Sequence, residues 1–245
     1  MKILHTADWH LGRSLYHISM LEEQESFIHQ LLEIVKREHI ELVLVAGDIF
    51  DSSASASGAI ALYKQAVTAL CNQLEVPVVI IAGNHDGAVR LTSCSEILKK
   101  SGLYLYGKVT LCPQPVKVGD VCVYPIPFFN IEEIRQQLPK ENISTYQEAM
   151  EAVTDSIRKE MDPAKTNVVM AHCFVSGGAL SDSDQAAMVG MAAQISAGAF
   201  RGFDYVALGH LHRAQKVGET VYYSGSPLKY SVKEEFHEKS VTVFD

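Results

Sequence analysis

Residues 42–51 have the sequence LVLVAGDIFD, and this stretch decides the fold. Its first five residues, 42–46, are all apolar, which is typical of a buried parallel strand. The strand ends at Gly47, and two carboxylates, Asp48 and Asp51, follow. In open α/β sheets, ligands bind beyond the carboxyl ends of the strands. The stretch therefore predicts a sheet with a ligand site at its edge and Asp48 at the centre of that site.

Other apolar stretches also lead directly into polar side chains. These are 3–7 before Asp8 and His10, 78–82 before Asn84, His85 and Asp86, 168–171 before His172, and 205–208 before His210 and His212. Asp-x-His and His-x-His spacings place both side chains on one side of an extended segment. Each fragment alone is weak, because an Asp at a strand end is usually a cap or turn residue. The ordered set, however, predicts a metal centre.

The remaining pattern predicts a two-sheet α/β sandwich with flanking helices. Amphipathic patterns at 20–39, 59–74 and 89–100 alternate with strands over residues 1–106, which favours a parallel sheet with right-handed crossovers. Residues 116–124 have a hairpin pattern around Gly119-Asp120. Helices are expected at 130–138 and 145–160, a long loop at 175–190, and short alternating strands at the end. We expect the first half to be parallel-rich and the second half antiparallel.

Composition limits the class of protein. A chain of 245 residues with 47% apolar residues fits one globular domain spanning 1–245. No apolar run is long enough to span a membrane, and a core strand so close to Met1 leaves no room for a signal peptide. Five scattered cysteines indicate reduced thiols, hence a cytoplasmic protein. The net charge of −8 argues against a generally basic nucleic-acid-binding surface.

The polar strand ends predict two divalent metal ions. The candidate donors at these ends are Asp8, His10, Asp48, Asp51, Asn84, His85, Asp86, His172, His210 and His212. This mixture of imidazole, carboxylate and amide donors suits manganese, iron or zinc better than calcium. We expect Mn²⁺ first, with Fe²⁺, Zn²⁺ or Mg²⁺ as alternatives, and Asp48 as the bridging carboxylate. If Asp8 and Asp48 are the only charged ligands, two such ions give the site a net charge of about +2, which favours an anionic substrate.

Two metals about 3.5–4 Å apart would clamp a phosphoryl group for in-line displacement by hydroxide. His85, beside Asn84, is expected to protonate the leaving oxygen or to stabilise its developing charge. The carboxylate of Asp51 is expected to orient His85. Other chemistries lack their motifs: there is no Gly-x-Ser-x-Gly elbow, and residues 102–109 imitate a phosphate loop but end in Val109 instead of Ser or Thr.

The ordered strand-end motifs resemble the calcineurin-like metallophosphoesterases. The motifs are Asp8-x-His10, Gly47-Asp48-x-x-Asp51, Gly83-Asn84-His85-Asp86, His172 and Gly209-His210-x-His212. The resemblance implies that one metal is held by Asp8, His10, Asp48 and His212. It implies that the other is held by Asp48, Asn84, His172 and His210. It also implies that His85 is catalytic and paired with Asp51.

Residues 4–12, 47–51, 203–212 and 223–228 have a narrower resemblance, to the SbcD-type DNA exonucleases. That implies a manganese-dependent nuclease that forms a homodimer and works with an SMC-like ATPase on double-strand DNA ends. Ser52 stands where serine/threonine phosphatases have arginine, which weakens a phosphatase interpretation. The SbcD family continues into a DNA-contacting cap and ATPase-binding helices. We therefore expect this chain to be a nuclease-domain fragment rather than a shortened relative.

Alternatives remain open on the sequence alone. One is a phosphodiesterase for cyclic nucleotides or other small phosphodiesters, and another is an interaction scaffold with structural metals, against which the complete ligand set argues. Candidate DNA contacts after the first strand are Trp9, Arg13, Tyr16 and His17, although Trp9 is equally suited to packing. The loop at 175–190 is expected either to line the cleft or to be mobile.

Overall fold

A computed structural model describes residues 1–180 and 194–245. The strands are β1 (Ile3–Thr6), β2 (Ser14–Leu15), β3 (Ile18–Ser19), β4 (Leu42–Ala46), β5 (Val78–Ile81), β6 (Leu103–Tyr106), β7 (Val116–Val118), β8 (Val121–Ile126), β9 (Thr166–His172), β10 (Phe174–Val175), β11 (Gln194–Ile195), β12 (Tyr205–Gly209), β13 (Gln215–Lys216), β14 (Val221–Tyr223) and β15 (Thr242–Phe244). The helices are α1 (Leu21–Glu38), α2 (Ser57–Thr68), α3 (Ala88–Leu91), α4 (Ser95–Leu98), α5 (Ile131–Gln137) and α6 (Tyr146–Glu160).

Two large sheets carry the fold. The first has the strand order β15-β1-β4-β5-β6 and the second β13-β14-β12-β9-β8-β7. In the first sheet β1, β4, β5 and β6 are parallel, while β15 from the end of the chain runs antiparallel along β1. These sheets and their helices confirm the predicted two-sheet α/β class.

The prediction of an antiparallel second half is wrong. In the second sheet β14, β12, β9 and β8 are parallel, and only the outer pairs β13–β14 and β7–β8 are antiparallel. Every residue of β8 and β12 is buried, which is typical of parallel strands covered on both faces. The helices α5 and α6 lie between β8 and β9 in the chain and provide the crossover that a parallel pair requires.

Alternation along the strands creates three apolar layers. Side chains on one face of the first sheet, such as Leu42 and Leu44, pack against Val168 and Met170 of the second sheet. On the opposite face Val43 packs with α1 and α2, and the outer face of the second sheet is covered by α5 and α6. Because β4 of the first sheet packs against β9 and β12 of the second, the carboxyl ends of strands from both sheets can meet at one shared edge.

The predicted helix at 89–100 is broken. The chain instead makes two single turns, α3 and α4, and Cys94 between them adopts a left-handed backbone with φ of 62°. Side-chain hydroxyls compete with the helix here, because Thr92 donates to the carbonyl of Ala88 and Ser93 to that of Val89. The other helices match their predicted ranges within a few residues, and α2 continues through a π-helical stretch at Ala69–Gln73.

The predicted loop at 175–190 is only partly described. Strand β10 pairs with β11, and residues 181–190 of the predicted loop lie outside the described residues. Across the described ranges, no helix combines the length and the apolar character that crossing a membrane would require. All five cysteines are described, and none of them forms a disulfide.

Candidate metal centre

The fold brings the polar strand ends to one place. β1, β4 and β5 are neighbours in the first sheet, and β9 and β12 are neighbours in the second, where His172 lies opposite Gly209 in register. All seven predicted metal ligands are buried or half-buried at this shared edge. The structure therefore gathers side chains that are far apart in sequence, such as His10 and His212, which are separated by 202 positions.

One group of donors forms around the ends of β1 and β12. The Nε2 atoms of His10 and His212 face each other at 3.1 Å. Asp8 offers a carboxylate oxygen to the same group, with all three donor atoms within 4.8 Å of one another. Two imidazole nitrogens that face each other in a buried site, beside a carboxylate, suit a shared cation.

A second group forms around the ends of β5 and β9. Asn84 Oδ1 lies 3.1 Å from His172 Nε2 and 3.1 Å from His210 Nδ1. Asp8, Asp48 and His172 also form a group of buried donors within 4.8 Å of one another. These oxygens and imidazole nitrogens are the donor types that manganese, iron and zinc accept.

Asp48 lies between the two groups. Its Oδ2 atom is 3.7 Å from His10 Nε2 in the first group and 3.4 Å from His172 Nε2 in the second. Its other oxygen, Oδ1, accepts a hydrogen bond from the backbone N–H of His85 at 2.9 Å. A single carboxylate therefore contacts both halves of the donor set, which is the position that a bridging ligand needs.

Backbone conformation at the site is unusual. Asp8, His10, Asp48 and His210 have φ values of 54°, 44°, 51° and 103°, in the left-handed region that side chains seldom adopt. Such strain persists only where surrounding contacts impose it, and it concentrates at functional sites. Hydrogen bonds from Asp8 N to Gly47 O and from His10 N to Asp48 O, both 3.0 Å, supply part of that constraint.

Two glycines allow the sheet edges to approach each other. A Cβ atom on Gly209 would lie 1.9 Å from the carbonyl oxygen of Ala46 in the opposite sheet. A Cβ atom on Gly47, which also has φ of +91°, would lie 2.3 Å from Nδ1 of His172. Glycine is therefore required at both positions for steric reasons.

Burial and mutual charge shift the ionisation of the acidic donors. Burial, with a smaller contribution from the charge of Asp48, raises the pKa of Asp8 to about 7 despite the opposing charges of His172 and His212. Burial would also raise the pKa of Asp48, but the charges of His172 and His10 and a hydrogen bond from His172 lower it well below its usual range.

The pKa values of the histidine donors shift in opposite directions. Burial would lower the pKa of His172, but Asp48 and Asp8 raise it to about 9, whereas burial lowers the pKa of His10 to about 4. Burial likewise lowers the pKa of His210 to about 3. The neutral imidazoles of His10 and His210 and a buried pair of carboxylates offer lone pairs to divalent cations, and such a cation would take the place of the proton on His172, so the residues present fit a two-metal centre.

His85 lies at the edge of the donor set, but Asp51 contacts it differently from the prediction. His85 Nδ1 donates to the backbone carbonyl of Asp51 at 2.9 Å, not to its carboxylate. The Asp51 carboxylate instead accepts from Arg13 at 2.9 Å and lies 3.5 Å from Nδ1 of His10. The main chain after β4 passes close to His85, and the Asp51 carbonyl is its acceptor. The Asp51 carboxylate is turned towards Arg13.

Sequence reasoning assigned no role to two buried carboxylates beside the site. Asp86 accepts hydrogen bonds from the backbone N–H groups of Ile49, Phe50 and Gly83, and so ties together the loops that follow β4 and β5. Glu234 accepts from Nδ1 of His212. Asp86 stands within a recognised motif and could have been suspected, whereas no local pattern distinguishes Glu234 from its neighbours.

The candidate DNA contacts divide into buried and exposed residues. Trp9 is fully buried, and its indole N–H donates to Thr6, so it is a packing residue. Arg13 is half-buried, because it pairs with Asp51 and lies over the ring of Tyr230. Tyr16 and His17 are exposed at the turn of the β2–β3 hairpin.

Comparison with known proteins gives one family and several similar folds. Residues 1–214 match the family described as Calcineurin-like phosphoesterase. The chain is 33% identical over 246 residues to the D subunit of the nuclease SbcCD of Staphylococcus epidermidis, covering all of this chain and 66% of that protein. The chain thus spans slightly less than two thirds of the length of this curated relative.

Solved structures share the fold at low sequence identity. The protein TT1561 of Thermus thermophilus superposes with a TM-score of 0.53 at 10% identity, covering 92% of this chain and 89% of that one. A dimetal phosphatase from Danio rerio superposes with a TM-score of 0.52 at 11% identity, covering 91% of this chain and 86% of that one. At these identities the likeness concerns the fold alone.

Proposed function

Because the chain belongs to the calcineurin-like phosphoesterase family, we propose that it is a metal-dependent nuclease that hydrolyses phosphodiester bonds at double-strand DNA ends. The observation that carries this proposal is the 33% identity to a nuclease subunit over the whole chain. That similarity continues past residue 214, where the family match ends, and so includes the segment that packs on His212.

We assign the metal ligands as two overlapping sets. Asp8, His10, Asp48 and His212 would hold one ion, and Asp48, Asn84, His172 and His210 would hold the other. The position of Asp48 Oδ2, 3.7 Å from His10 and 3.4 Å from His172, supports its role as the bridge. Mn²⁺ is the proposed metal, with Fe²⁺, Zn²⁺ or Mg²⁺ as alternatives. When bound, such ions supply Lewis acidity that polarises a phosphoryl group and acidifies water.

His85 is the proposed general acid. Its Nδ1 must carry a proton, because the acceptor is the carbonyl of Asp51, and this leaves Nε2 as the nitrogen available to the substrate. A hydrogen bond from its own backbone N–H to Asp48 holds His85 against the bridging carboxylate. As the imidazolium, with a second proton on Nε2, His85 can donate that proton to the leaving oxygen, or stabilise its charge by a hydrogen bond, and the ring that remains is neutral and still held through Nδ1.

Asp51 supports proton donation by His85 by holding two neighbouring side chains in place. Its carbonyl orients His85, and its carboxylate holds the guanidinium of Arg13 at 2.9 Å. Arg13 thereby remains beside the centre, where a cation suits a phosphate backbone. The net charge of the whole chain is −8, but Arg13 and the two ions, when bound, would make the surroundings of the centre locally favourable for an anionic substrate.

The proposal also includes partners and location. By its resemblance to SbcD-type nucleases, the protein would form a homodimer and act with an SMC-like ATPase subunit. The unpaired state of all five cysteines is consistent with action in the cytoplasm. The curated relative is named as part of SbcCD, which supports the ATPase partnership.

The experiment that tests this function compares two substrates in Mn²⁺. The protein would be incubated with linear double-stranded DNA and, separately, with bis-p-nitrophenyl phosphate, alongside an EDTA control and the Asp48→Ala variant. We expect manganese-dependent shortening of the DNA that the variant does not perform. Hydrolysis of the small ester without any DNA cleavage would instead favour a phosphodiesterase acting on cyclic nucleotides or other small phosphodiesters.

A further inference from the structure

The segment at residues 224–239 folds back over one half of the metal centre. It lies beyond residue 214, where the match to the phosphoesterase family ends. Within it Glu234 closes a short 3₁₀ helix, Val232–Glu234, and its side chain is fully buried. A buried carboxylate is costly unless donors surround it, so the identity of those donors shows what it does.

Glu234 divides its two oxygens between a metal-ligand histidine and a lysine. Oε1 accepts from Nδ1 of His212 at 3.1 Å. Oε2 accepts from Nζ of Lys239 at 2.5 Å and from the backbone N–H of Tyr230 at 3.3 Å. One oxygen therefore faces the metal centre, and the other is anchored within the segment.

Lys239 fixes the carboxylate relative to the histidine. Besides its contact with Glu234, its Nζ donates to the backbone carbonyl of His212 at 2.9 Å and to the hydroxyl of Ser226 at 2.8 Å. The same ammonium group thus contacts the main chain of His212 and the carboxylate that meets its ring. This arrangement leaves the imidazole little freedom to rotate.

We propose that Glu234 is a positioning residue for the metal ion at His10 and His212. Its carboxylate holds the proton of His212 on Nδ1, so Nε2 keeps its lone pair and faces Nε2 of His10 at 3.1 Å. A carboxylate behind a ligand histidine also fixes its ring and raises its basicity. This inference rests on the proposed metal-dependent function, and it adds a residue that acts through His212 without touching substrate.

The other half of the centre provides an internal control. His172 is also oriented through Nδ1, but its partner is the backbone carbonyl of Ala46 at 2.8 Å. No side-chain substitution at Ala46 removes that acceptor. A change at Glu234 should therefore weaken one ion selectively, whereas a general loss of stability would affect both.

The test is calorimetric titration of the whole chain with MnCl₂. It would compare wild type with Glu234→Ala, Glu234→Gln and Glu235→Gln, the last being the same chemical change at the exposed neighbouring position. We expect Glu234→Ala to weaken one of two binding events by about 10–100-fold. Glu234→Gln should weaken the same binding event by a smaller factor that still exceeds twofold, because its amide oxygen accepts from Nδ1 but carries no charge, and Glu235→Gln should match wild type.

Thermal unfolding in EDTA, followed by circular dichroism, separates positioning from folding. If Glu234 only supported the fold, the melting temperature in EDTA would fall while both manganese affinities of the folded variant stayed within about twofold of wild type, and the inference would be overturned. If Glu234→Ala does not fold, Glu234→Gln decides by the same criterion. Selective weakening of one ion in a protein that cleaves no DNA would leave the inference standing and reject the nuclease function.

Discussion

The two halves of the proposed metal centre are supported in different ways. The half built from Asn84, His172 and His210 rests on the sheets themselves: a main-chain carbonyl of β4 orients His172, and Gly209 lets β12 approach β4. The half built from His10 and His212 rests on side chains. Glu234 meets His212, and the hydroxyl of Tyr230 donates to the carbonyl of Trp9, next to His10.

This difference separates what the common fold supplies from what a particular chain adds. Strand register places His172 beside the residue that precedes His210, and the loop after β5 brings Asn84 to both of them. The other half needs residues 224–239, which lie outside the family match. Changes at the sheet edge should therefore act mainly through folding, and a change at Glu234 mainly through one ion.

The largest effect is expected at Asp48, which joins the halves. Asp48→Ala removes the oxygen that lies near both His10 and His172. Manganese binding and phosphodiester cleavage should both fall to background, because the ions contribute several kcal/mol of transition-state stabilisation. Calorimetry and hydrolysis of bis-p-nitrophenyl phosphate measure the two losses. Asp120→Ala, an exposed carboxylate paired with Lys165, is the matched control.

His85→Ala should separate chemistry from metal binding. The variant is expected to lose about 10²–10⁴-fold in kcat, as removal of a general acid does, while both ions remain bound. His29→Ala, on the exposed face of α1, should leave both quantities unchanged. Full turnover by His85→Ala would show that another group serves the leaving oxygen.

Gly209→Ala should destabilise the half of the site that contains Asn84, His172 and His210. The added Cβ would meet the carbonyl of Ala46 at 1.9 Å, so the two sheet edges must move apart. We expect the free energy of unfolding to fall by about 1–3 kcal/mol or more, measured by urea denaturation in EDTA. Gly198→Ala, whose Cβ would meet only Ser196 Oγ at 3.4 Å, is the control. Equal stability of the two variants would refute the steric account.

The smallest effect is expected at Tyr230. Tyr230→Phe removes the hydroxyl that donates to the carbonyl of Trp9 and accepts from Gln24, while the aromatic ring stays beside His10. The unfolding free energy should fall by about 1–2 kcal/mol, because two buried hydrogen bonds are lost. Tyr16→Phe, at an exposed position, should change nothing in the same urea titration. A Tyr230→Phe variant as stable as wild type would show that this hydroxyl does not stabilise the fold.

The difference between the half formed by strand ends and the half supported by residues 224–239 also explains what the sequence could predict. Apolar runs that end in glycine, aspartate or histidine are local patterns, and parallel strands bring such ends to one edge, so the donor set around Asp48 was accessible. The parallel pairing of β8 with β9 was missed, although the two helices between them already implied a crossover. The antiparallel expectation gave too much weight to the short hairpin at β7 and β8.

Contacts between distant residues account for the other misses. Glu234 lies 22 residues after His212 among other charged residues, and only the folded chain selects it as the partner of that ring. The left-handed backbone at Asp8, His10 and Asp48 likewise follows from packing between the strand ends. Residue type indicated that Asp51 served the site, but the path of the main chain determines that its carbonyl, not its carboxylate, meets His85.

Anomalous diffraction from crystals of the manganese-loaded protein tests the central claim most directly. The account predicts two manganese peaks about 3.5–4 Å apart, one at His10 and His212 and the other at Asn84, His172 and His210. Asp48 should contact both. A single peak, or two peaks that do not share Asp48, would contradict a two-metal centre bridged at the end of β4.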